Sequence, residues 1–105
     1  INSGGVNIYP AEVEATLLEH SIVRDVAVIG IANPEWGEDV KAVVQVDQVP
    51  GDEAVAAEEL MAFCRDRIAH FKCPRSVDFA TELPRDDNGK LYRRKLLEAY
   101  RGTGD

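Results

Sequence analysis

The stretch Val26-Ala27-Val28-Ile29-Gly30-Ile31 decides the fold of this chain, because it is an unbroken apolar run rich in β-branched residues. Such a run is typical of a central strand buried on both faces. A turn follows at Asn33-Pro34-Glu35-Trp36-Gly37. Beyond the turn, polar side chains alternate with apolar ones in the pattern of a half-buried strand, at Val40, Ala42, Val44 and Val46. The two segments therefore predict a β-hairpin.

Three helices and one more strand complete the predicted fold. Apolar residues recur at helical spacing over residues 10–20, over residues 55–70 and from about Arg93 onward. Residues 76–80 form a short third strand with Val77 and Phe79 on one face. Gly102 and Gly104 predict a loose tail. We expect a small α+β domain, in which a three-stranded sheet is covered by about three helices.

The charge of the chain is uneven along its length. The net charge is −7, but residues 1–64 carry −10 and residues 65–105 carry +3. An acidic protein repels nucleic acid, so we expect no nucleic-acid partner. The basic half could still receive an anionic small molecule.

The two cysteines, Cys64 and Cys73, predict neither a disulfide framework nor a metal site. No His/Cys pair has zinc-ligand spacing, and Cys64 falls on an apolar helical stripe, which favours a structural role. The sequence shows no signal peptide and no transmembrane run. We therefore expect a soluble protein of a reducing compartment, the cytoplasm.

The segment Pro84-Arg85-Asp86-Asp87-Asn88-Gly89-Lys90 carries the clearest chemical signal. Asn-Gly is the strongest short signal for a tight turn, because both residues tolerate positive φ. Such a turn would hold Lys90 on an exposed, fixed tip. A lysine presented in this way is suited to meeting a phosphate or a carboxylate.

Four segments together resemble the C-terminal domain of the adenylate-forming superfamily, in its acyl-CoA synthetase branch. In order along the chain they are Ser3-Gly4-Gly5-Val6-Asn7-Ile8-Tyr9-Pro10-Ala11-Glu12-Val13-Glu14, Pro34-Glu35-Trp36-Gly37-Glu38, Phe71-Lys72-Cys73-Pro74-Arg75 and Leu83-Pro84-Arg85 with Asn88-Gly89-Lys90. Their order and spacing match the family over nearly the whole chain, and four segments in register are specific where one would be weak.

The resemblance implies an ATP-dependent ligase that adenylates a carboxylic acid, with a fatty acid favoured, and then transfers the acyl group to CoA. Residues 1–105 would be the mobile lid domain, inactive alone and lacking the large N-terminal domain that is its partner. The implied cofactors are ATP, CoA and Mg²⁺, the last bound mainly by the missing domain. Two alternatives stay open: acyl transfer to a carrier protein, and a non-enzymatic protein-interaction module.

The resemblance also implies roles for particular residues. Lys90 matches the family's catalytic loop lysine, which serves adenylation. Gly4 and Gly5 match the segment beside the channel that admits the pantetheine arm. The positions that contact the nucleotide end of CoA in some family members are matched by Trp36, Phe71, Lys72 and Arg75.

Several of these residues also allow a structural interpretation or depart from the family's pattern. Phe71 could also close a helical stripe, and Trp36 could simply anchor its turn. Cys73 departs from the family, since some relatives carry a basic residue there and a thiol cannot pair with a phosphate in that way. We interpret the basic stretch Arg93-Arg94-Lys95 as a solvated helix face, and Glu12 and Glu14 as acids of a first helical turn rather than a catalytic pair.

Overall fold

The structure, a computed structural model, describes residues 1–101 as a five-stranded sheet with helices on both faces. The strands are β1 (Asn2–Ser3), β2 (Val6–Asn7), β3 (Asp25–Asn33), β4 (Gly37–Gln45) and β5 (Ser76–Ala80). The helices are α1 (Pro10–Leu17), α2 (Glu53–Arg65) and α3 (Arg93–Arg101), with a short 3-10 helix at His70–Lys72. The tail predicted at Gly102 and Gly104 lies outside the described residues.

The predicted hairpin is confirmed and forms the centre of the molecule. β3 and β4 pair antiparallel from Asp25 opposite Gln45 to Asn33 opposite Gly37. β5 pairs parallel with the other edge of β4, and so confirms the third predicted strand. The structure adds β1 and β2, which pair with each other and attach to β4 where Ser3 lies opposite Gly37. Each has two residues, too few to show a period of two in the sequence.

β3 is buried on both faces, as its unbroken apolar run predicts, but its predicted central position is wrong. Within residues 1–101 it is an edge strand of the sheet and pairs with β4 alone. Val26 and Val28 pack into one apolar cluster, whereas Ala27 and Ile29 pack into another on the opposite face. Helices on both faces bury an edge strand as fully as an interior one, so apolar composition alone does not distinguish the two positions.

The two faces of the sheet carry cores of different size. The larger core lies under α1 and α2 and includes Val13, Leu17, Val40, Val44, Leu60 and Cys64. The smaller core lies under α3 and includes Val43, Leu83 and Leu96. The α+β class with three helices is therefore confirmed.

The helix boundaries differ from the sequence estimate mainly at their C-terminal ends. α1 ends at Leu17 rather than near residue 20, and α2 ends at Arg65 rather than at residue 70. The start of α2 is set by Asp52, whose carboxylate accepts a hydrogen bond from the Val55 amide at 3.1 Å. Ile68 still packs on the core beyond the end of α2, which explains why the apolar pattern runs past the helix. None of the helices in residues 1–101 has both the length and the apolar character that a membrane span requires.

A polar cluster attaches α3 to the sheet. Asp78 on β5 accepts hydrogen bonds from Lys41 Nζ at 3.0 Å and from the Tyr100 hydroxyl at 2.5 Å. Burial raises the pKa of Asp78, but the hydrogen bonds from Tyr100 and Lys41 outweigh it, so the pKa lies below its ordinary value of 3.8. Burial and the bond to Asp78 raise the pKa of Tyr100. The carboxylate is therefore held in its charged form.

We expect Asp78→Asn to lower the free energy of unfolding at pH 7 by roughly 0.5–1 kcal/mol, a modest value because the Asp78 side chain is partly exposed. A carboxyl whose pKa is lowered by folding contributes stability above its unfolded pKa and loses it as the pH falls through the folded value. The difference in the free energy of unfolding between variant and wild type should therefore become smaller below about pH 4. Urea denaturation at stepped pH measures it. Asp87→Asn, at an exposed carboxylate, is the control and should leave the free energy of unfolding at pH 7 within about 0.5 kcal/mol of wild type.

Candidate catalytic loop and ligand groove

The loop that carries Lys90 is a short hairpin, closed by backbone bonds. Arg85 and Leu91 form an antiparallel bridge, and the Asp86 amide donates to the Lys90 carbonyl at 2.8 Å. The Asp86 carboxylate accepts hydrogen bonds from the amides of Asn88, at 2.9 Å, and Lys90, at 3.0 Å. Gly89 has a φ of 79°, which favours glycine. The tight turn predicted from Asn-Gly is thus present, and Asp86 stabilises it from within.

Lys90 lies on the exposed tip of this loop. Its backbone is held at both the amide and the carbonyl. Its ammonium group makes no hydrogen bond or ion pair with any residue in the described part of the chain, residues 1–101. The structure therefore presents a cation whose backbone is fixed and whose charge is available to a ligand.

The Gly4-Gly5 segment is the turn between β1 and β2. Both glycines have positive φ, 59° and 82°, as a two-residue type I′ hairpin requires. A Cβ added to either would meet no atom within 4 Å in this chain. Within residues 1–101 the backbone conformation, rather than crowding, therefore explains the two glycines. The Gly4 amide donates to the Trp36 carbonyl at 2.8 Å and so joins this hairpin to the β3–β4 turn.

Four of the residues predicted to contact CoA line one surface groove of about 270 Å³: Gly4, Trp36, Phe71 and Arg75. Gly5 and Lys72 are chain neighbours of this set but do not line the groove. The sequence segments that carry these residues are far apart along the chain. The sheet brings them together, since β1 and the turn before β4 meet at Ser3 and Gly37.

Arg75 and Trp36 form a stacked pair over Asp39. The Arg75 guanidinium lies 4.6 Å from the centroid of the Trp36 ring, a cation–π geometry. Trp36 Nε1 donates to Asp39 Oδ1 at 2.7 Å, and Arg75 Nε lies 3.8 Å from the same oxygen. Trp36 therefore anchors its turn and also offers a flat surface beside a cation. Asp39 was not predicted from the sequence as a residue of this site, although it lies three residues after Trp36.

Phe71 and Lys72 lie in the 3-10 helix at one side of the groove. Phe71 is 56% exposed, so it does not close a helical stripe. Lys72 Nζ lies 2.8 Å from Glu12 Oε1 and 5.8 Å from the Phe71 ring centroid. Glu12 therefore orients the Lys72 side chain and partly neutralises its positive charge. Because Glu14 binds Arg93 instead, the two acids act separately, as interpreted from the sequence.

The two cysteines are buried, free thiols in the larger core. Cys73 lines the groove, and its Sγ lies 3.5 Å from the Ala69 carbonyl oxygen. Burial raises the pKa of Cys73, and burial raises that of Cys64 to about 12. Both thiols are therefore neutral, and Cys73 adds no charge to the groove. Cys64 packs in the core, as its position on the apolar stripe predicted.

The Lys90 loop and the groove lie at opposite ends of β3. Arg85, at the base of the loop, forms an ion pair with Asp25, the first residue of the strand. The groove begins at the turn that follows Asn33, the last residue of the strand. A strand of nine residues spans roughly 26 Å. The structure thus brings Gly4, Trp36, Phe71 and Arg75 together at the groove but places Lys90 apart from them.

The described residues contain no group of three or more His, Cys, Asp or Glu side chains that could hold a metal ion. Several carboxylates instead pair singly with cations, as Glu12 does with Lys72 and Asp78 with Lys41. Mg²⁺ requires several oxygen ligands in near-octahedral geometry. These residues do not fit a magnesium ion, and we assign no magnesium ligand to them.

Comparison with known proteins settles the family. The family described as the AMP-binding enzyme C-terminal domain matches residues 12–90. This chain belongs to that family. It is 39% identical over 103 residues, 98% of this chain and 20% of the relative, to a long-chain-fatty-acid–CoA ligase of Mycobacterium tuberculosis. It is 45% identical over 96 residues, 91% of this chain and 19% of the relative, to a 2-succinylbenzoate–CoA ligase of Geobacillus kaustophilus.

The fold agrees with the sequence comparison. A crystal structure of a Brucella canis acyl-CoA synthetase matches 99% of this domain and 19% of that chain, with a TM-score of 0.91 and 34% identity. The resemblance to the C-terminal domain of acyl-CoA synthetases is therefore confirmed. The domain spans about a fifth of the length of the curated relatives it matches.

We expect Gly5→Ala to lower the free energy of unfolding of the domain by about 1–2 kcal/mol, because an L-residue at positive φ is strained even where its side chain has room. Gly51→Ala is the matched control: the site is equally open and its φ is not in the left-handed region, so the change should stay within about 0.5 kcal/mol. Urea denaturation of both variants measures the difference. Equal effects would show that the conformation of the Gly4-Gly5 turn is not what requires glycine.

Proposed function

We propose that this domain is the mobile C-terminal lid of an ATP-dependent acyl-CoA ligase. The parent enzyme would activate a carboxylic acid as an acyl-adenylate with release of pyrophosphate, and would then transfer the acyl group to the thiol of CoA. The observation that carries the proposal is the separation of two candidate sites, the Lys90 loop and the groove, at opposite ends of one hairpin. A rigid domain with one site at each end can serve two half-reactions by turning a different end toward the same active site.

Lys90 would serve the first half-reaction. Attack of a carboxylate on the α-phosphorus of ATP brings two anions together and spreads charge over the phosphoryl oxygens. An ammonium group held between them stabilises the transition state more than the separated substrates. The free ammonium group and the fixed backbone of Lys90 support this role, since little reorganisation is needed when the substrate arrives.

The groove would serve the second half-reaction by receiving part of CoA. The nucleotide end of CoA offers phosphates and an adenine ring, and Arg75 and Trp36 present a cation on a flat aromatic surface. Phe71 adds an exposed ring at the same groove, and Lys72 can exchange Glu12 for a phosphate. The groove is small for the whole molecule, so it would hold one end while the Gly4-Gly5 turn lies beside the thiol arm.

The remaining parts of the enzyme would lie in a large N-terminal domain, the partner of this lid. It would supply most of the ATP site, the ligands of Mg²⁺ and the pocket for the acid, so the lid alone would be inactive. The acid is a fatty or related carboxylic acid in our proposal. One relative is named for long-chain fatty acids and another for 2-succinylbenzoate, so similar lids accompany different acids. Two free thiols fit a cytoplasmic location.

In the full-length parent enzyme, we expect Lys90→Ala to slow adenylation by roughly 100- to 1,000-fold, the usual effect of removing one group that stabilises developing charge. ATP–pyrophosphate exchange with a panel of carboxylic acids measures this step. Thioester formation from pre-made acyl-adenylate and CoA should stay within about threefold of wild type, because that step does not use the lysine.

Lys95→Ala provides the control, since Lys95 is an exposed lysine of the same region with no assigned role. Unchanged exchange in Lys90→Ala would contradict the catalytic role and favour a non-enzymatic interaction module. Consumption of free CoA in the wild-type reaction would distinguish transfer to CoA from transfer to a carrier protein.

We expect Arg75→Gln to raise the KM for CoA by roughly 3- to 10-fold, as removal of one exposed charged contact does, with little change in pyrophosphate exchange. Arg67→Gln is a matched control, because Arg67 also stacks on an aromatic ring, with its guanidinium 3.4 Å from the Phe63 centroid, but lies outside the groove. Steady-state kinetics at varied CoA concentration measures the KM of both variants. An equal change in KM for both variants would exclude the groove as the CoA site.

A further inference from the structure

The outer edge of β3 is closed by two side chains from different helices. The Val28 amide donates to Glu14 Oε2 at 2.8 Å, and Arg93 Nη1 donates to the Val28 carbonyl at 2.9 Å. Arg93 Nη2 also lies 2.7 Å from Glu14 Oε1 and 2.6 Å from Oε2. Each of the three groups contacts the other two. We name this network the edge clamp: Glu14, Arg93 and the peptide groups of Val28.

The edge clamp is a built site rather than a loose surface pair. The Glu14 side chain is only 14% exposed, and its carboxylate has a backbone donor as well as a guanidinium. Arg94, the next residue, is by contrast 78% exposed and lies 3.8 Å from Glu98. The interpretation of Arg93 as part of a solvated helix face is therefore wrong. α1 and the edge of β3 hold it instead.

The edge clamp lies at the end of the Lys90 loop. Arg93 is three residues beyond Lys90, and the intervening Tyr92 amide donates to the Pro84 carbonyl at 2.9 Å. On the other side of the loop, Arg85 pairs with Asp25 and donates to the Gly89 carbonyl at 3.0 Å. Arginines therefore flank Lys90 on both sides, and both attach the loop to β3.

We propose that Arg93, held by Glu14 and Val28, is a positioning residue for Lys90. The proposal rests on the catalytic role of Lys90 given above. The Lys90 ammonium group makes no hydrogen bond or ion pair with another described residue, so its direction depends on where the base of the loop is held. The edge clamp sets that base against β3, the strand on which the rest of the domain is built. A base displaced by about 1 Å would lower the rate without removing any group that touches the substrate.

The test uses the full-length enzyme with Arg93→Gln, and Arg94→Gln as the matched control. We expect Arg93→Gln to slow pyrophosphate exchange by roughly 10- to 100-fold through kcat, with KM values for ATP and the acid within about threefold of wild type. Thioester formation from pre-made acyl-adenylate should stay within about threefold. Arg94→Gln should resemble wild type in every assay.

A double variant shows whether Arg93 acts through Lys90. If it does, Arg93→Gln should add less than about threefold to the defect of Lys90→Ala, because the positioned group is already absent. Arg93→Lys should recover part of the rate, since its ammonium group can still bind Glu14 but cannot also span to the Val28 carbonyl. Glu14→Gln removes the negative charge that pairs with Arg93, so it should lower kcat for pyrophosphate exchange in the same way as Arg93→Gln. Arg93→Lys and Glu14→Gln also carry the test if Arg93→Gln does not fold.

Four results would overturn the proposal. Equal loss in both half-reactions, or multiplication of the Arg93 and Lys90 effects, would show a purely structural role. Arg93→Gln and Arg94→Gln could show equal rates of pyrophosphate exchange while Lys90→Ala remains defective. That result would contradict the positioning role of Arg93 and leave the catalytic role of Lys90 in place. No defect in Lys90→Ala would contradict both the catalytic role of Lys90 and the positioning role of Arg93.

Discussion

Burial of β3 on both faces is the constraint on which the rest of this domain depends. Val26 and Val28 need α1 and α2 on one face, and Ala27 and Ile29 need α3 on the other. Because β3 is also an edge strand, no other strand in the described part of the chain bonds with its outer peptide groups. Glu14 supplies an acceptor there and joins the helices to that edge. The apolar strand β3 thus requires helices on both faces and hydrogen-bonding side chains along its outer edge.

The hairpin built on that strand also sets the distance between the two candidate sites. Its nine residue pairs form a stiff unit with a different loop at each end, the Lys90 loop beside Asp25 and the groove beyond Asn33. Paired strands with cores on both faces resist bending, so the two sites keep a constant separation. In the proposed enzyme, exchange between half-reactions would then require the whole domain to rotate.

The cations around the groove and the loop are held in different ways. Arg75 and Lys72 have nearby carboxylates, Asp39 and Glu12, which hold them in place and lower the local charge. The Lys90 ammonium has no such carboxylate in the described residues, although its backbone is bonded on both sides. Paired cations suit reversible binding of an anion by exchange of partners. An unpaired cation on a fixed backbone suits stabilisation of charge that appears only briefly.

Much of this architecture was predictable from local sequence, because periodicity and turn chemistry act over a few residues. The apolar run and the alternation after it predicted the hairpin, and apolar residues at helical spacing predicted the helices. Asn88-Gly89 predicted the loop that presents Lys90. The strand order, the grouping of residues at the groove and the partners of Arg93 were decided only by the tertiary structure. Each depends on contacts between residues far apart in the chain: Arg93 and Glu14 are 79 residues apart, and no short window of sequence contains both.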